Sequence, residues 1–167
     1  MSKLGCPHPY LGVESLTGPR EAWYVNGYAS ESEITAVADA YARNVPLMEA
    51  LRELGKKKNA FVLEPVSAFA RYRRDLTVGK PWGLGLGRFL AISVEKEGRA
   101  GGTVFEDPAG TRYGIEAFRS REDAELAAAG GKGIVFAVRP AWSYPATEWI
   151  SADPEFWRGH PSLGRQK

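Results

Sequence analysis

The chain has 167 residues, 44% of them hydrophobic and 25% charged, which is typical of one globular domain. Its 22 basic and 20 acidic side chains leave a formal net charge of +2, too balanced for charge alone to indicate a nucleic-acid-binding protein. One cysteine excludes an internal disulfide, and two histidines argue against a histidine-rich metal site. We therefore expect neither a metal nor a cofactor.

No segment approaches the roughly 18 consecutive apolar residues of a membrane span, and the N-terminus lacks the apolar core of a signal peptide. The predicted location is therefore the cytoplasm, without membrane contact. Residues 1–20 are rich in glycine, proline and serine and show no period, which predicts an irregular N-terminal arm. Cys6 and His8 lie in this arm, and we interpret them as a terminal loop with a stray thiol.

The aromatic and β-branched residues from 23 to 28 predict the first strand. Alternation places Trp23 and Val25 on one face and three polar or phenolic side chains on the other, namely Tyr24, Asn26 and Tyr28. Ser30 and Glu33 then have the spacing of a capping box, which predicts the start of a helix.

Apolar residues at helical spacing follow from Ile34 to Val45, so the first helix is predicted there. Pro46 cannot donate a hydrogen bond to the preceding turn and is predicted to break or kink the helix. The period resumes from Leu47 to Leu54, and Gly55 is a suitable residue to end the second helix.

Residues 59–88 are the least regular part of the sequence. A short helix is predicted from Pro65 to Tyr72, in the segment that carries the densest basic cluster, Arg71, Arg73 and Arg74. These arginines fit a carboxylate, a phosphate or a nucleic-acid backbone, but Glu64 and Asp75 are equally suited to neutralise them as surface ion pairs. The glycine-rich loop 79–88, which contains Trp82, is interpreted as a turned loop with a possible ligand contact at Trp82.

The second half predicts a strand over 89–95 and a hairpin whose strands flank the turn from Asp107 to Gly110. A short helix capped by Ser120 and a central strand over 133–139 follow. The remaining residues, 140–167, form a proline-rich tail with five aromatic side chains close together, predicted to pack on the domain formed by residues 21–139.

This order of short strands and two helices resembles the ferredoxin-like α+β domains of the dimeric α/β-barrel superfamily over about residues 21–139. The resemblance lies in the order of elements, and no residue motif of that superfamily occurs in the chain. It implies an antiparallel sheet with helices packed on one face, and two subunits, or two halves, that bring their sheets together around an enclosed site. The aromatic tail and an uncovered sheet face would give more apolar surface than a monomer leaves exposed. We therefore expect a homodimer with tail or sheet residues in the contact.

The sheet face that carries Tyr24 and Tyr28 is the predicted site. Glu116 is assigned there as a proton acceptor, with Tyr24 or Tyr28 as donor, because a carboxylate and a phenol together support acid–base chemistry. Candidate ligand contacts are Asn26, Arg139, Arg71, Arg73 and Trp82. An ordinary solvent-facing sheet has the same composition, so this pattern does not by itself distinguish a site from a surface.

The leading hypothesis is a protein that binds a small organic ligand and acts on it by cofactor-independent acid–base chemistry. The first alternative is a non-enzymatic interaction module whose aromatic tail contacts a partner protein. The second is binding of an anion or nucleic acid through residues 71–74, although nucleic acid is not an expected partner at this net charge. The sequence identifies neither the ligand nor the pathway.

Overall fold

The computed structural model describes residues 5–59, 62, 64–96, 101–130, 133–158 and 160. The described residues form, in chain order, β1 (Leu11–Ser15), β2 (Ala22–Val25), α1 (Glu31–Arg43), α2 (Val45–Asn59), β3 (Arg71–Tyr72), β4 (Phe89–Glu95), β5 (Thr103–Glu106), β6 (Arg112–Phe118), α3 (Arg121–Ala129), β7 (Ile134–Val138), α4 (Thr147–Ala152) and α5 (Pro154–Trp157). A single 3-10 turn, Pro140–Trp142, separates β7 from α4. No helix within these residues is long and apolar enough to cross a membrane.

All seven strands form one sheet in the order β2-β1-β7-β4-β6-β5-β3, and every neighbouring pair is antiparallel. Trp23 on β2 and Tyr113 on β6 are four positions apart in this order, or about 19 Å in a flat sheet. Their ring centroids are only 6.4 Å apart. The sheet is therefore curled into a half-barrel, and these two rings meet on its concave face.

The ferredoxin-like sheet with helices on one face that was expected from the sequence is wrong, because the chain has a curled half-barrel sheet of seven strands. Two strands form where none was predicted. β1 lies within the arm expected to be irregular, and β3 lies at the end of the segment expected to be a helix. β1 is stabilised by pairing with β2 on one side and β7 on the other, so tertiary pairing outweighs its weak local preference.

The core lies on the concave face. Alternate residues of the central strands fill it, including Leu11, Leu90 and Phe136, each fully buried. Trp149 and Trp157 pack into the same core from α4 and α5, so the aromatic segment after β7 covers the open side of the half-barrel.

The convex face is covered by α3. This helix contacts β4, β6 and β7, and its Ala124 is fully buried. Small buried residues on the same face of the sheet, Ala91 and Ala137, leave room for the helix. Helices therefore pack on both faces of the sheet, not on one face as expected.

Local signals in the sequence are confirmed at several element ends. Ser30 Oγ accepts from the Glu33 N–H at 3.2 Å, although the Glu33 carboxylate binds the Ala29 N–H instead of the Ser30 N–H. α1 ends at Arg43 and α2 begins at Val45, so the break predicted at Pro46 is confirmed. α2 nevertheless continues through Gly55, which does not end it.

The predicted hairpin turn is also confirmed. The Gly110 N–H donates to the Asp107 carbonyl at 3.0 Å, and Gly110 adopts a φ of +82°. Asp107 Oδ1 accepts from the N–H groups of Ala109 and Thr111, each at 2.9 Å. The turn thus joins β5 and β6 with its main-chain donors satisfied by the side chain of its first residue.

Candidate functional site

Five phenols, a thiol and an imidazole meet at the edge of the sheet formed by β1 and β2. We refer to them as the phenol cluster, which consists of Cys6, His8, Tyr10, Tyr24, Tyr28, Tyr41 and Tyr144. The arm before β1 supplies the first three, β2 and the loop after it supply the next two, and the last turns of α1 supply Tyr41. Residues far apart in the sequence are thus brought together by the pairing of β1 with β2.

Tyr10 anchors one end of the cluster. It forms an isolated antiparallel bridge with Tyr144, with main-chain hydrogen bonds of 3.0 and 2.8 Å. Its ring lies 6.1 Å from the Tyr24 ring in an edge-on arrangement and 6.4 Å from the Tyr144 ring. The bridge fixes the backbone, and the ring contacts fix where the Tyr10 phenol lies.

Cys6, which is buried, and Tyr41, which is partly buried, are in contact within the cluster. Cys6 is 7% exposed, and its Sγ lies 3.0 Å from the Tyr41 hydroxyl and 3.4 Å from the His8 carbonyl oxygen. A carbonyl oxygen only accepts, so the thiol proton is directed at His8 and the Tyr41 hydroxyl donates to Sγ. This contact ties the arm to α1.

The imidazole of His8 is held by a stack and a hydrogen bond. It lies parallel to the Tyr28 ring, with centroids 4.5 Å apart and planes 8° apart. Its Nε2 lies 2.9 Å from the Gly27 carbonyl oxygen, which identifies Nε2 as the protonated nitrogen. In the neutral ring Nδ1 then carries the lone pair.

Burial changes the acidity of the phenols. Desolvation is the largest cause that raises the pKa of Tyr10, Tyr28 and Tyr41, and the neighbouring Cys6 and Glu33 add to it. A phenol with the ordinary pKa of about 10 is already protonated at neutral pH, and the raised pKa of these three extends that protonation to more alkaline pH.

Of the residues that the sequence assigned to a site, Tyr24 and Tyr28 belong to this cluster and Asn26 lies exposed between them. Strand register places Tyr24 and Glu116 on the same, convex face, but on β2 and β6. These strands are four positions apart, and α3 crosses the sheet between them. Glu116 is exposed and lies over the backbone of Gly101 and Gly102. The structure does not bring it together with the tyrosines.

The arginines assigned to ligand binding are paired with carboxylates. Arg139 Nε donates to Glu14 at 2.8 Å, and Arg71 contacts Glu31. Arg73 binds Asp75 through two nitrogens, at 2.7 and 3.0 Å, and also contacts Glu106. The interpretation that surface carboxylates neutralise the basic segment thus holds for Asp75. Glu31 and Glu106 also pair with these arginines, although the sequence did not indicate them.

Trp82 is held by hydrogen bonds within its own loop and to β5. Its Nε1–H donates to the Leu86 carbonyl at 2.8 Å, and its backbone N–H donates to Thr103 Oγ1 at 2.5 Å. A β-carbon at Gly87 would lie 2.8 Å from that of Ala117, so the glycine lets this loop approach β6 closely. Gly87 thus has a packing role in this loop.

The sequence did not identify Cys6, His8, Tyr10 or Tyr41 as site residues. One available signal was the alternation of Leu11 and Val13 with small or polar residues, which favours a strand directly after Tyr10. A strand at that position would have indicated that the arm lies next to β2, and hence near Tyr24. The contact between Cys6 and Tyr41 depends on tertiary packing, and no local pattern predicts it.

Compared with protein-family models, curated proteins and solved structures, the chain matches none. The proposal below therefore rests on the geometry of the phenol cluster.

Proposed function

We propose that this protein binds a small planar organic ligand at the phenol cluster and that the ligand presents oxygen atoms as hydrogen-bond acceptors. The observation that carries this proposal is the gathering of aromatic rings whose phenols can donate hydrogen bonds. Aromatic faces favour a planar ligand, and phenolic O–H groups donate to carbonyl or carboxylate oxygens. Tyr24, 47% exposed, is the ring that a ligand in solvent would meet first.

The same groups support acid–base chemistry on the bound ligand. Tyr28 is the proton donor in this scheme, since a phenol carries its proton at neutral pH. His8 stacks on Tyr28 and supplies Nδ1 as the proton acceptor. Glu116 remains the alternative acceptor suggested by the sequence, and its position on β6 would require the ligand to reach a different part of the sheet.

The other two hypotheses receive less support from the geometry. Trp149 and Trp157 are buried in the core, so these two rings of the tail are not on the surface. Arg71 and Arg73 are paired with carboxylates, which leaves less free positive charge for a phosphate.

Benzoate provides a direct test, with cyclohexanecarboxylate as a probe of equal charge that lacks the planar ring. Binding is followed by the shifts of tyrosine ring signals in NMR spectra of the whole chain. We expect benzoate to shift the signals of Tyr24 and Tyr28 and to bind more tightly than cyclohexanecarboxylate.

The variant Y24F removes one donor from the cluster, and Y72F is its matched control. Tyr72 is exposed to a similar degree, 43% against 47%, but lies on β3 at the opposite edge of the sheet. We expect Y24F to weaken benzoate binding several-fold, as the loss of one hydrogen bond to a charged acceptor implies, and Y72F to leave it unchanged. Equal effects of the two variants, or equal binding of the two probes, would contradict the proposal.

A further inference from the structure

The segment that leads into β3 is exposed along its whole length. Every residue from 64 to 72 is exposed, and Val66 and Phe69 are 87% and 67% exposed. Residues 65–70 contain no helix, turn or bend and lead directly into β3, the last strand of the sheet. The segment 64–72, called the edge segment below, is thus an apolar extension of an open sheet edge.

The hydrogen-bond pattern of β3 shows which backbone groups face outward. Arg73 lies opposite Val104, and its N–H donates to the Val104 carbonyl at 2.8 Å. Hydrogen-bonded pairs recur at every second residue of an antiparallel ladder, so the N–H and C=O of Tyr72 point away from β5. A partner strand that continued this ladder backwards would use the backbone groups of Ala70, Ala68 and Val66 in the same alternation.

We propose that two copies of this chain pair through their edge segments, antiparallel and about a twofold axis at Phe69. This register joins the two sheets into one and places Phe69 of each copy opposite Phe69 of the other. The remaining opposite pairs are Val66 with Tyr72, Ala68 with Ala70, and Ser67 with Arg71.

Two features of the edge segment favour a second copy as the occupant. The outward-facing residues 66, 68, 70 and 72 pair only with one another in this register, so the ladder hydrogen bonds are complete on both sides. Pro65, which has no N–H, falls at a position whose backbone groups face away from the partner, where its missing donor costs nothing.

Charge complementarity supports the same register. In this register the bend at Glu64 of one copy comes near the turn that begins at Arg74 of the other, at both ends of the paired segments. Both side chains are exposed, and among the described residues neither forms an ion pair within its own chain. A shift by two residues would lose these pairs and separate the two Phe69 rings.

A disulfide across the axis tests the register. In the variant F69C, the two Cys side chains occupy a non-hydrogen-bonded pair, where Cα atoms are about 4.5 Å apart and a disulfide can form. In the control S67C, the same atoms are about 14 Å apart, too far for a disulfide. We expect F69C to form a covalent dimer under mild oxidation, and both S67C and the wild type, whose only thiol is the buried Cys6, to remain uncrosslinked.

Analytical ultracentrifugation of the whole chain tests the pairing without an added thiol. A68P removes an outward N–H from each copy and should raise the dimer dissociation constant about 30-fold, whereas S67P removes an N–H that faces away and should not. E64K should weaken the dimer, and E64K combined with R74E should restore it. A wild type that stays monomeric at high micromolar concentration, or crosslinking of S67C equal to that of F69C, would overturn the proposal.

Discussion

Gly85 lies against the indole of Trp149 so closely that a β-carbon at position 85 would fall 2.1 Å from Cδ2 of the ring. Gly85 also has a φ of +84°, a conformation that other residues adopt at a cost. The close approach lets the glycine-rich loop cover a tryptophan of the core, so the loop and the aromatic segment depend on each other.

The substitution G85A should therefore destabilise the fold by about 2–5 kcal/mol, since it adds overpacking to backbone strain. G79A is the matched control, because Gly79 has a φ of +78° but no atom within 4 Å of an added β-carbon. It should cost only the backbone term of about 1–2 kcal/mol. Urea denaturation midpoints measure both, and equal losses would show that Trp149 moves aside freely.

The hairpin turn allows a test of backbone strain alone. Gly110 has a φ of +82° and no neighbour within 4 Å of an added β-carbon. G110V should lower the free energy of unfolding by about 1–3 kcal/mol, and G110N by less, because asparagine tolerates this conformation better. An unchanged denaturation midpoint for G110V would contradict the role of this turn.

The phenol cluster predicts a stability that depends on alkaline pH. Burial raises the pKa of Tyr41 in the folded state, so the folded chain holds this proton more tightly than the unfolded chain. The corresponding stability is fully present below about pH 10, the ordinary pKa of tyrosine, and is lost as the pH rises through the folded-state pKa.

We expect part of the phenolate absorbance to appear only above the ordinary titration range, together with a falling denaturation midpoint. Y41F should reduce both effects, and Y72F, which alters an exposed phenol outside the phenol cluster, should reduce neither. A single tyrosine titration at the ordinary pKa would contradict burial of the cluster.

Asp153 has two separable roles at the start of α5. It accepts two hydrogen bonds of 2.9 Å from Arg88 and one of 3.3 Å from the Phe156 N–H, which caps the helix. D153N retains a capping oxygen and loses the charge, whereas D153A loses both. The difference between the two variants should be about 0.5–2 kcal/mol, the usual contribution of a cap.

The charge of Asp153 also gives an acid-side prediction. The hydrogen-bonded Arg88 guanidinium lowers the pKa of Asp153, so the stability from this pair is present above the unfolded-state pKa and is lost as the pH falls through the folded-state pKa. The midpoints of the wild type and D153N should therefore converge in acid. A constant difference between them down to low pH would argue against the ion pair.

Glu116 and His8 distinguish two versions of the acid–base proposal. E116Q removes the carboxylate that the sequence assigned as proton acceptor, and H8Q removes the imidazole that the phenol cluster contains. We expect E116Q to leave benzoate binding unchanged and H8Q to alter it, measured by the same NMR titration. Loss of binding in E116Q with retention in H8Q would favour the assignment made from the sequence.

The sequence predicted elements whose determinants lie within a few residues. The Ser30 cap, the break at Pro46 and the turn at Gly110 depend on side-chain and backbone chemistry of the segment itself. β3 and β1 depend on partners far along the chain, and the predicted helix from Pro65 failed because pairing of Tyr72 with Phe105 outweighed local preference. The same limit applies to the site, where Tyr24 and Tyr28 were identified but Cys6 and Tyr41 were not.

The position of β1 has a consequence for the order of folding. β1 bonds to β7, and the Thr17 hydroxyl accepts from the Val135 N–H across 118 residues of sequence. Such distant pairing is slow, since the entropy of closing a long loop is lost before the contact forms. Until the β1–β2 hairpin docks, the apolar edge of β7 is open to strands of other molecules. Aggregation during refolding should therefore decrease when the chain is diluted, even though dilution does not change the stability of the native fold.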